Sequence, residues 1–204
     1  MHRKSAPMQR PASIDPVAQL RAERISAREN EDPCASLCTV ASVDRDGLPQ
    51  ARTLVLRDVE EQLAIFGNRT SPKWRQMHEG TVVAVVVWLP SLSLQYRLRC
   101  TTRPVADHVV HASWQLRPAT PKKLDWLYTH HQPQSTPVTD RAALLSLLGS
   151  LDLPEPLIAP DTAAGLFLTP QVVDRLDLNQ PDGVHDRRHF ERTDRGWLES
   201  VLVP

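Results

Sequence analysis

The chain has 204 residues, with 24 basic and 24 acidic side chains and a formal net charge of zero, so it is long enough for one well-buried domain. This balance provides no overall field to draw in nucleic acid or an anionic membrane, so any anion site is local and the expected partner is a small molecule. Cys34, Cys38 and Cys100 are too few and too scattered for a disulfide framework or a metal site, and they read as small buried apolar residues. The longest apolar run, Val82 to Leu89, is far short of the roughly 20 residues of a membrane helix, and the N-terminus has no apolar signal core. The expectation is a cytoplasmic protein with no membrane, nucleic-acid or metal partner.

Residues 1–13, with Pro7 and Pro11 among charges, read as a disordered lead-in, and residues 14–204 as a single domain. Asp15 followed by Pro16 is a helix start, and Val17, Leu20 and Ile25 give the following segment the spacing of a surface helix. Two β-like runs then flank Asp46-Gly47, so 35–59 reads as a hairpin, with a second pairing to Gln62–Gly67 through the acidic turn Glu60-Glu61. The segment from Thr81 to Pro90 does not alternate, the mark of a strand buried on both faces or closed within a barrel. The run after it does alternate, with Leu94, Tyr96, Leu98 and Cys100 on one side and Gln95, Arg97, Arg99 and Thr101 on the other. Five or six mostly antiparallel strands are expected from this half.

Helical spacing follows around Trp114 and Trp126, both read as core residues, and again after Thr139-Asp140, which is placed to cap a third helix. Four strand-like runs close the chain. Many short strands with helices inserted late predict an α+β fold, a mostly antiparallel barrel with peripheral helices. His130-His131 lacks partners at metal-ligand spacing and reads as an exposed loop, and no serine has the context of a hydrolytic nucleophile.

The chemistry concentrates between Ala51 and Met77. Ser71 occupies a capping position, Pro72 the first turn of a short helix that Gly80 ends, and Lys73 adds an ammonium; free amides, a hydroxyl and a cation together suit a phosphate. Arg52 could add a guanidinium from the hairpin. On spacing alone, Arg52, Arg57, Arg69 and Lys73 read rather as solvated charges at a barrel rim. Arg52 and Arg57 are an odd number of residues apart and face opposite sides of an ideal strand, so either the strand twists sharply or only one of them reaches a given ligand.

The segments Arg52-Thr53-Leu54-Val55-Leu56-Arg57 and Phe66-Gly67-Asn68, followed by Ser71 and Lys73, resemble the flavin-binding core of the pyridoxamine 5′-phosphate oxidase family, as do His185-Asp186-Arg187 and Trp197 near the end. The agreement covers roughly 36–103 and 184–204. The resemblance implies a split β-barrel homodimer with FMN at the subunit interface. Arg52, Ser71 and Lys73 would hold the FMN phosphate. Arg57 and the backbone of Thr53, Leu54, Val55 and Leu56 would face the flavin ring, with Phe66, Gly67 and Asn68 beside it. Arg97 would stand where the family usually has Gln, and Arg187 would approach from the tail. His185 and Arg117, the latter at the family's Arg-Pro position, are the substrate-side candidates for catalysis.

The chain also departs from the family pattern. Gly183 replaces an Arg two residues before the His, Asp177 falls near the place of a flavin-stacking Trp, and the middle segment lacks the usual substrate-binding Tyr and Ser and the Gly-Ala-Trp helix. The resemblance is therefore to a branch that keeps the FMN site and alters the site for the phosphorylated vitamin. Two functional classes stay open: an FMN-dependent oxidoreductase acting on a small molecule, and a flavin- or haem-binding protein without turnover on the same barrel.

Overall fold

The computed structural model describes residues 9–78 and 80–204, and residues 1–8 of the expected lead-in lie outside them. The elements run β1 Arg10–Pro11, α1 Pro16–Glu29, β2 Leu37–Val43, β3 Pro49–Val55, β4 Arg57–Val59, β5 Gln62–Asn68, α2 Pro72–Gln76, β6 Val82–Leu89, β7 Leu94–Pro104, α3 Asp107–Gln115, α4 Ala119–His130, α5 Arg141–Gly149, β8 Ala163–Asp177, β9 Asp186–Thr193 and β10 Gly196–Leu202. All strand pairs are antiparallel, in the order β1-β10-β9-β8-β7-β6-β2-β3, with β4 on β5 and β5 on β8. The described residues form ten strands: three after α5, where two of the four closing runs merge in β8, and seven up to Pro104 against the five or six expected, because the short β1 joins the sheet and β3 breaks at Leu56 to give β4. That break, with no ladder between β3 and β5, leaves the barrel split: the sheet curls back on itself through the chain and not through hydrogen bonds.

Local chemistry accounts for most of the elements. Asp15 Oδ1 accepts from the amides of Val17 and Ala18 at the head of α1, and Asp140 Oδ1 from Ala143 N at the head of α5, each satisfying helix donors that have no intrahelical partner. Asp44 Oδ1 accepts from Asp46 and Leu48 N in the β2–β3 turn, where Gly47 takes φ 79°. The barrel interior is filled by alternate residues of β2, β6 and β7, among them Val40, Val85 and Leu98. Cys38 and Cys100 are buried free thiols pushed up to about 12 by burial.

Of the two readings of β6 the barrel one fits, since its inner face lies in the barrel core, and two-sided burial falls elsewhere. Val83, Val85, Val87 and Leu89 face the core, whereas Val82 and Trp88 on the other face are 57% and 39% exposed. The strand covered on both faces is β5: Leu63 and Ile65 belong to the barrel core, and Ala64 packs into a second cluster with Val110, Trp114 and Phe167. The difference is what lies outside each strand. Helix α3 covers the outer side of β5 and β8, while among the described residues the outer face of β6 is left exposed at Val82, Ala84 and Trp88. Among the described residues no helix is long and apolar enough to cross a membrane.

Candidate functional site

The residues of the β3–β4 break, the end of β5, α2, α3 and α4 enclose a cavity of about 360 Å³, within the usual range of small-molecule sites. One wall is the edge of the sheet. Because β3 ends the strand order, Thr53, Leu54 and Val55 present a strand edge without a ladder partner to the cavity. Opposite stand Phe66, Gly67 and Asn68 of β5, and helices α3 and α4 close the remaining side with Trp114, Asp125 and Tyr128.

The break at Leu56 separates the two arginines. Leu56 is buried, its amide donating to Ser36 O, and its carbonyl accepts from Arg24 Nη2 at 2.6 Å. Arg57 lines the cavity, donating from Nη1 to Ser113 O at 3.1 Å and Ser113 Oγ at 2.9 Å, with its guanidinium 5.5 Å from the centre of the Phe66 ring. Arg52 is not among the lining residues; it donates to Ser42 Oγ at 2.7 Å and to Gln76 Oε1 of α2 at 2.8 Å. One of the pair thus lines the cavity and the other is bonded to α2, with the break at Leu56 between them.

Lys73 projects from α2 across β5. A Cβ at Gly67 would lie 3.4 Å from Lys73 Cε, so the absent side chain makes the groove in which the lysine lies, and Lys73 Nζ donates to Gln134 Oε1 at 3.3 Å. Burial, then the Arg52 charge and more weakly Arg117, push the ammonium below its ordinary value, with Asp125 opposing. Arg57 is lowered in the same way, by burial and then Arg117. Ser71 sits at the expected cap position, yet its Oγ makes no capping bond: the side chain is 1% exposed and the hydroxyl has no hydrogen-bond partner. Helix α2 itself ends at Gln76, short of Gly80.

Asn68 organises the rim. It accepts from Thr70 N and Thr70 Oγ1 and donates to Thr162 Oγ1 at 2.8 Å, while Thr70 Oγ1 in turn accepts from Gln134 N at 3.2 Å. Arg117 also lines the cavity, where its Nη1 is hydrogen-bonded to Asp125 Oδ2. The same oxygen accepts from Trp114 Nε1 at 2.8 Å. Asp125 is 2% exposed, and burial pushes its carboxyl up more than Arg117 and Trp114 hold it down.

Arg97, Arg187 and His185 lie away from this cavity. Arg97 and Arg187 both bond Asp174 Oδ2, the second at 3.1 Å, and despite burial these two guanidinium groups hold Asp174 below the usual carboxylate range. His185 is exposed on the segment between β8 and β9. Among the described residues no group of three or more His, Cys, Asp or Glu could hold a metal ion.

Ser113, Trp114, Asp125, Tyr128 and Gln134 were not anticipated as site residues. For α4 the signal was present: Pro121, Leu124, Asp125 and Tyr128 recur at helical spacing on one face and all line the cavity. For Trp114 the core reading was half right, since it is buried and also part of the cavity wall.

The sequence model described as pyridoxamine 5′-phosphate oxidase matches residues 28–145. A pyridoxine/pyridoxamine 5′-phosphate oxidase of Pseudomonas paraeruginosa is 29% identical over 170 residues, covering 81% of this chain and 77% of that protein. One from Pseudomonas fluorescens is 29% identical over 199 residues, covering 95% and 90%. Among solved structures, PhzG from Burkholderia lata in complex with tetrahydrophenazine-1-carboxylic acid superposes with a TM-score of 0.77 at 20% identity, covering 93% of each chain. A pyridoxamine 5′-phosphate oxidase-related, FMN-binding protein of Nostoc punctiforme gives 0.75 at 20% identity, covering 95% of this chain and 100% of that one. These two likenesses establish the fold, a mostly antiparallel split barrel with peripheral helices, and the match over 28–145 establishes the family: the chain belongs to the pyridoxamine 5′-phosphate oxidase family.

Proposed function

We propose that the protein is an FMN-binding oxidoreductase that acts on a small molecule in the cavity between β3, β5 and α4. The observation that carries this reading is the cavity itself: an unpaired strand edge and apolar walls, with the cations Arg57, Lys73 and Arg117 among its lining residues. The residues fit the cofactor. A buried Ser71 Oγ with no hydrogen-bond partner is costly unless a ligand supplies one, and the groove at Gly67 carries an ammonium that burial and Arg52 have made readier to accept a negative neighbour. Arg52, Ser71 and Lys73 would hold the phosphate. The strand edge of Thr53, Leu54 and Val55 would face the ring, with Leu56, its amide and carbonyl bonded to Ser36 and Arg24, held behind it, Phe66, Gly67 and Asn68 as the floor and Arg57 as a positive charge at the ring edge. When bound, FMN would supply an acceptor for a hydride from a substrate carbon. Arg117 stands on the side left for substrate.

The reading includes a homodimer. Outward residues of β3, β2 and β6 form one small and apolar face in register, with Val55 across from Leu37, Thr53 and Val86 flanking Thr39, and Ala51 and Ala84 flanking Ala41. Thr53 and Val55 belong both to this face and to the cavity wall, and Arg97 is the ladder partner of Val86. Twofold pairing through the face would bring Arg97, Arg187 and His185 of one copy toward the cavity of the other, which accounts for their separation within a single chain.

Absorbance of the purified protein tests the cofactor: a flavin spectrum released as FMN supports it, and a colourless chain that takes up no FMN rejects it. Anaerobic reduction of the bound flavin by pyridoxamine and pyridoxine 5′-phosphates tests turnover. Weak or absent reduction by these two is expected, because Gly183 removes one substrate contact; a His185→Ala variant reduced as fast as wild type by any active substrate would take His185 out of the mechanism.

A further inference from the structure

Asp125 is the single acid among the described residues that line the cavity, against three cations: Arg57, Lys73 and Arg117. Its position is not an accident of a flexible side chain. It lies on α4, 2% exposed, and its Oδ2 accepts from both Trp114 Nε1 and Arg117 Nη1, while Thr129 Oγ1 bonds the Asp125 carbonyl one turn on. Trp114 is itself 2% exposed, and Lys122 lies over its ring, 5.2 Å from the centre. The guanidinium that points at the substrate side is thus already paired by a carboxylate held from a second direction.

Assigning each cation leaves nothing over. In the flavin reading above, on which this inference rests, the phosphate takes Lys73 and Arg52 and the ring edge takes Arg57, whose hydrogen bonds to Ser113 fix it in place. Arg117 is the remaining cation, and Asp125 neutralises it. An anionic group arriving there would meet a guanidinium whose charge Asp125 already balances, and drawing Arg117 off would leave the buried carboxylate beside Tyr128 with the Trp114 indole N–H but no counter-charge, which is unfavourable away from water. We infer that Asp125 is a specificity-determining residue that withholds Arg117 from substrate anions, so that the cavity selects a neutral or cationic small molecule and discriminates against phosphate esters.

A matched pair of probes, pyridoxine and pyridoxine 5′-phosphate, tests this, because the two share a ring and differ by the phosphate. Binding is measured by calorimetry on the full chain, with FMN loaded and again without it, for wild type, Asp125→Asn and Arg117→Gln. With FMN loaded, wild type is expected to bind the ester no more than about threefold more tightly than the alcohol. Asp125→Asn frees the guanidinium and should raise that preference about tenfold or more, the scale of a charge-assisted hydrogen bond. Arg117→Gln should change ester affinity by less than about threefold, since a paired arginine contributes little to begin with, and it answers the question from the other partner if Asp125→Asn does not melt cooperatively. A tenfold wild-type preference for the ester, no gain in Asp125→Asn, or a tenfold loss in Arg117→Gln would each overturn the assignment. Failure to take up FMN would sink the flavin reading separately, and the change in preference between wild type and Asp125→Asn is scored in either loading state.

Discussion

Gly165 stands directly across from Phe66 in the β5–β8 ladder, and a Cβ built on it would come within 2.8 Å of Phe66 Cε1. The glycine is therefore a space reserved for a ring: Phe66 lies over β8, and Arg57 lies over Phe66. Gly165→Ala forces the ring off this position or bends β8. A loss of about 1–3 kcal/mol in urea unfolding is expected, the scale of overpacking a filled site, together with weaker FMN binding. Unchanged stability would mean that the ring moves freely and does not define the cavity floor.

Lys73→Ala should weaken FMN by about 1.5–3 kcal/mol, as expected for a lost charge-assisted hydrogen bond, and leave riboflavin affinity nearly unchanged. Fluorescence titration of both flavins measures this. Equal affinity of the wild type for FMN and riboflavin rejects the phosphate clamp.

The same lysine predicts the pH dependence. Without a ligand its pKa lies below the ordinary 10.5, chiefly through burial and then Arg52. A bound phosphate favours the charged form and raises that pKa, so binding takes up a proton in the window below 10.5. FMN affinity should therefore fall as pH rises from neutral through this window. Lys73→Gln should flatten the slope, and a variant as steep as wild type would assign it to another group.

Arg24 is fully buried, and its guanidinium donates to Ala35 O at 3.0 Å, Asp58 Oδ2 at 2.8 Å and Leu56 O at 2.6 Å. It ties α1 to the break between β3 and β4. Arg24→Met strands two carbonyls and leaves Asp58 with Arg21 alone, and should cost about 2–4 kcal/mol, with FMN affinity falling because the chain at Leu56 is no longer held. A loss below about 1 kcal/mol would show that water replaces the guanidinium.

Sedimentation should find a dimer at micromolar concentration, given the apolar outward face of β6. Ala84→Arg places a charge in the middle of that face, next to Ala41 in the ladder, and should yield monomer with reduced FMN affinity. Wild type that is monomeric with FMN bound would sink the shared-site reading.

The elements were legible where chemistry is local. Asp15-Pro16, Asp46-Gly47 and Thr139-Asp140 set helix starts and a turn through bonds to backbone groups a few residues away, and alternation in β7 named its buried face correctly. The Arg52-to-Lys73 segment was legible as a cluster of cations because it is nearly continuous in sequence. What lay outside each strand was not legible: an unbroken apolar run looks the same whether a helix covers its outer face or not, so β6 stayed open between two-sided burial and a place in the barrel wall, and two-sided burial is found at β5. Nor could α1, a surface helix by its spacing, reveal that Arg24 is buried, because its three acceptors are supplied by distant turns of chain. Asp125 follows the same logic. A lone acid on an amphipathic helix reads as solvated until folding brings Arg117 and Trp114 onto one of its oxygens, and only then does its charge count in the cavity. Sequence determines contacts closed over a few residues, whereas the pairing of buried charges depends on which distant backbones meet, and that the tertiary structure alone decided.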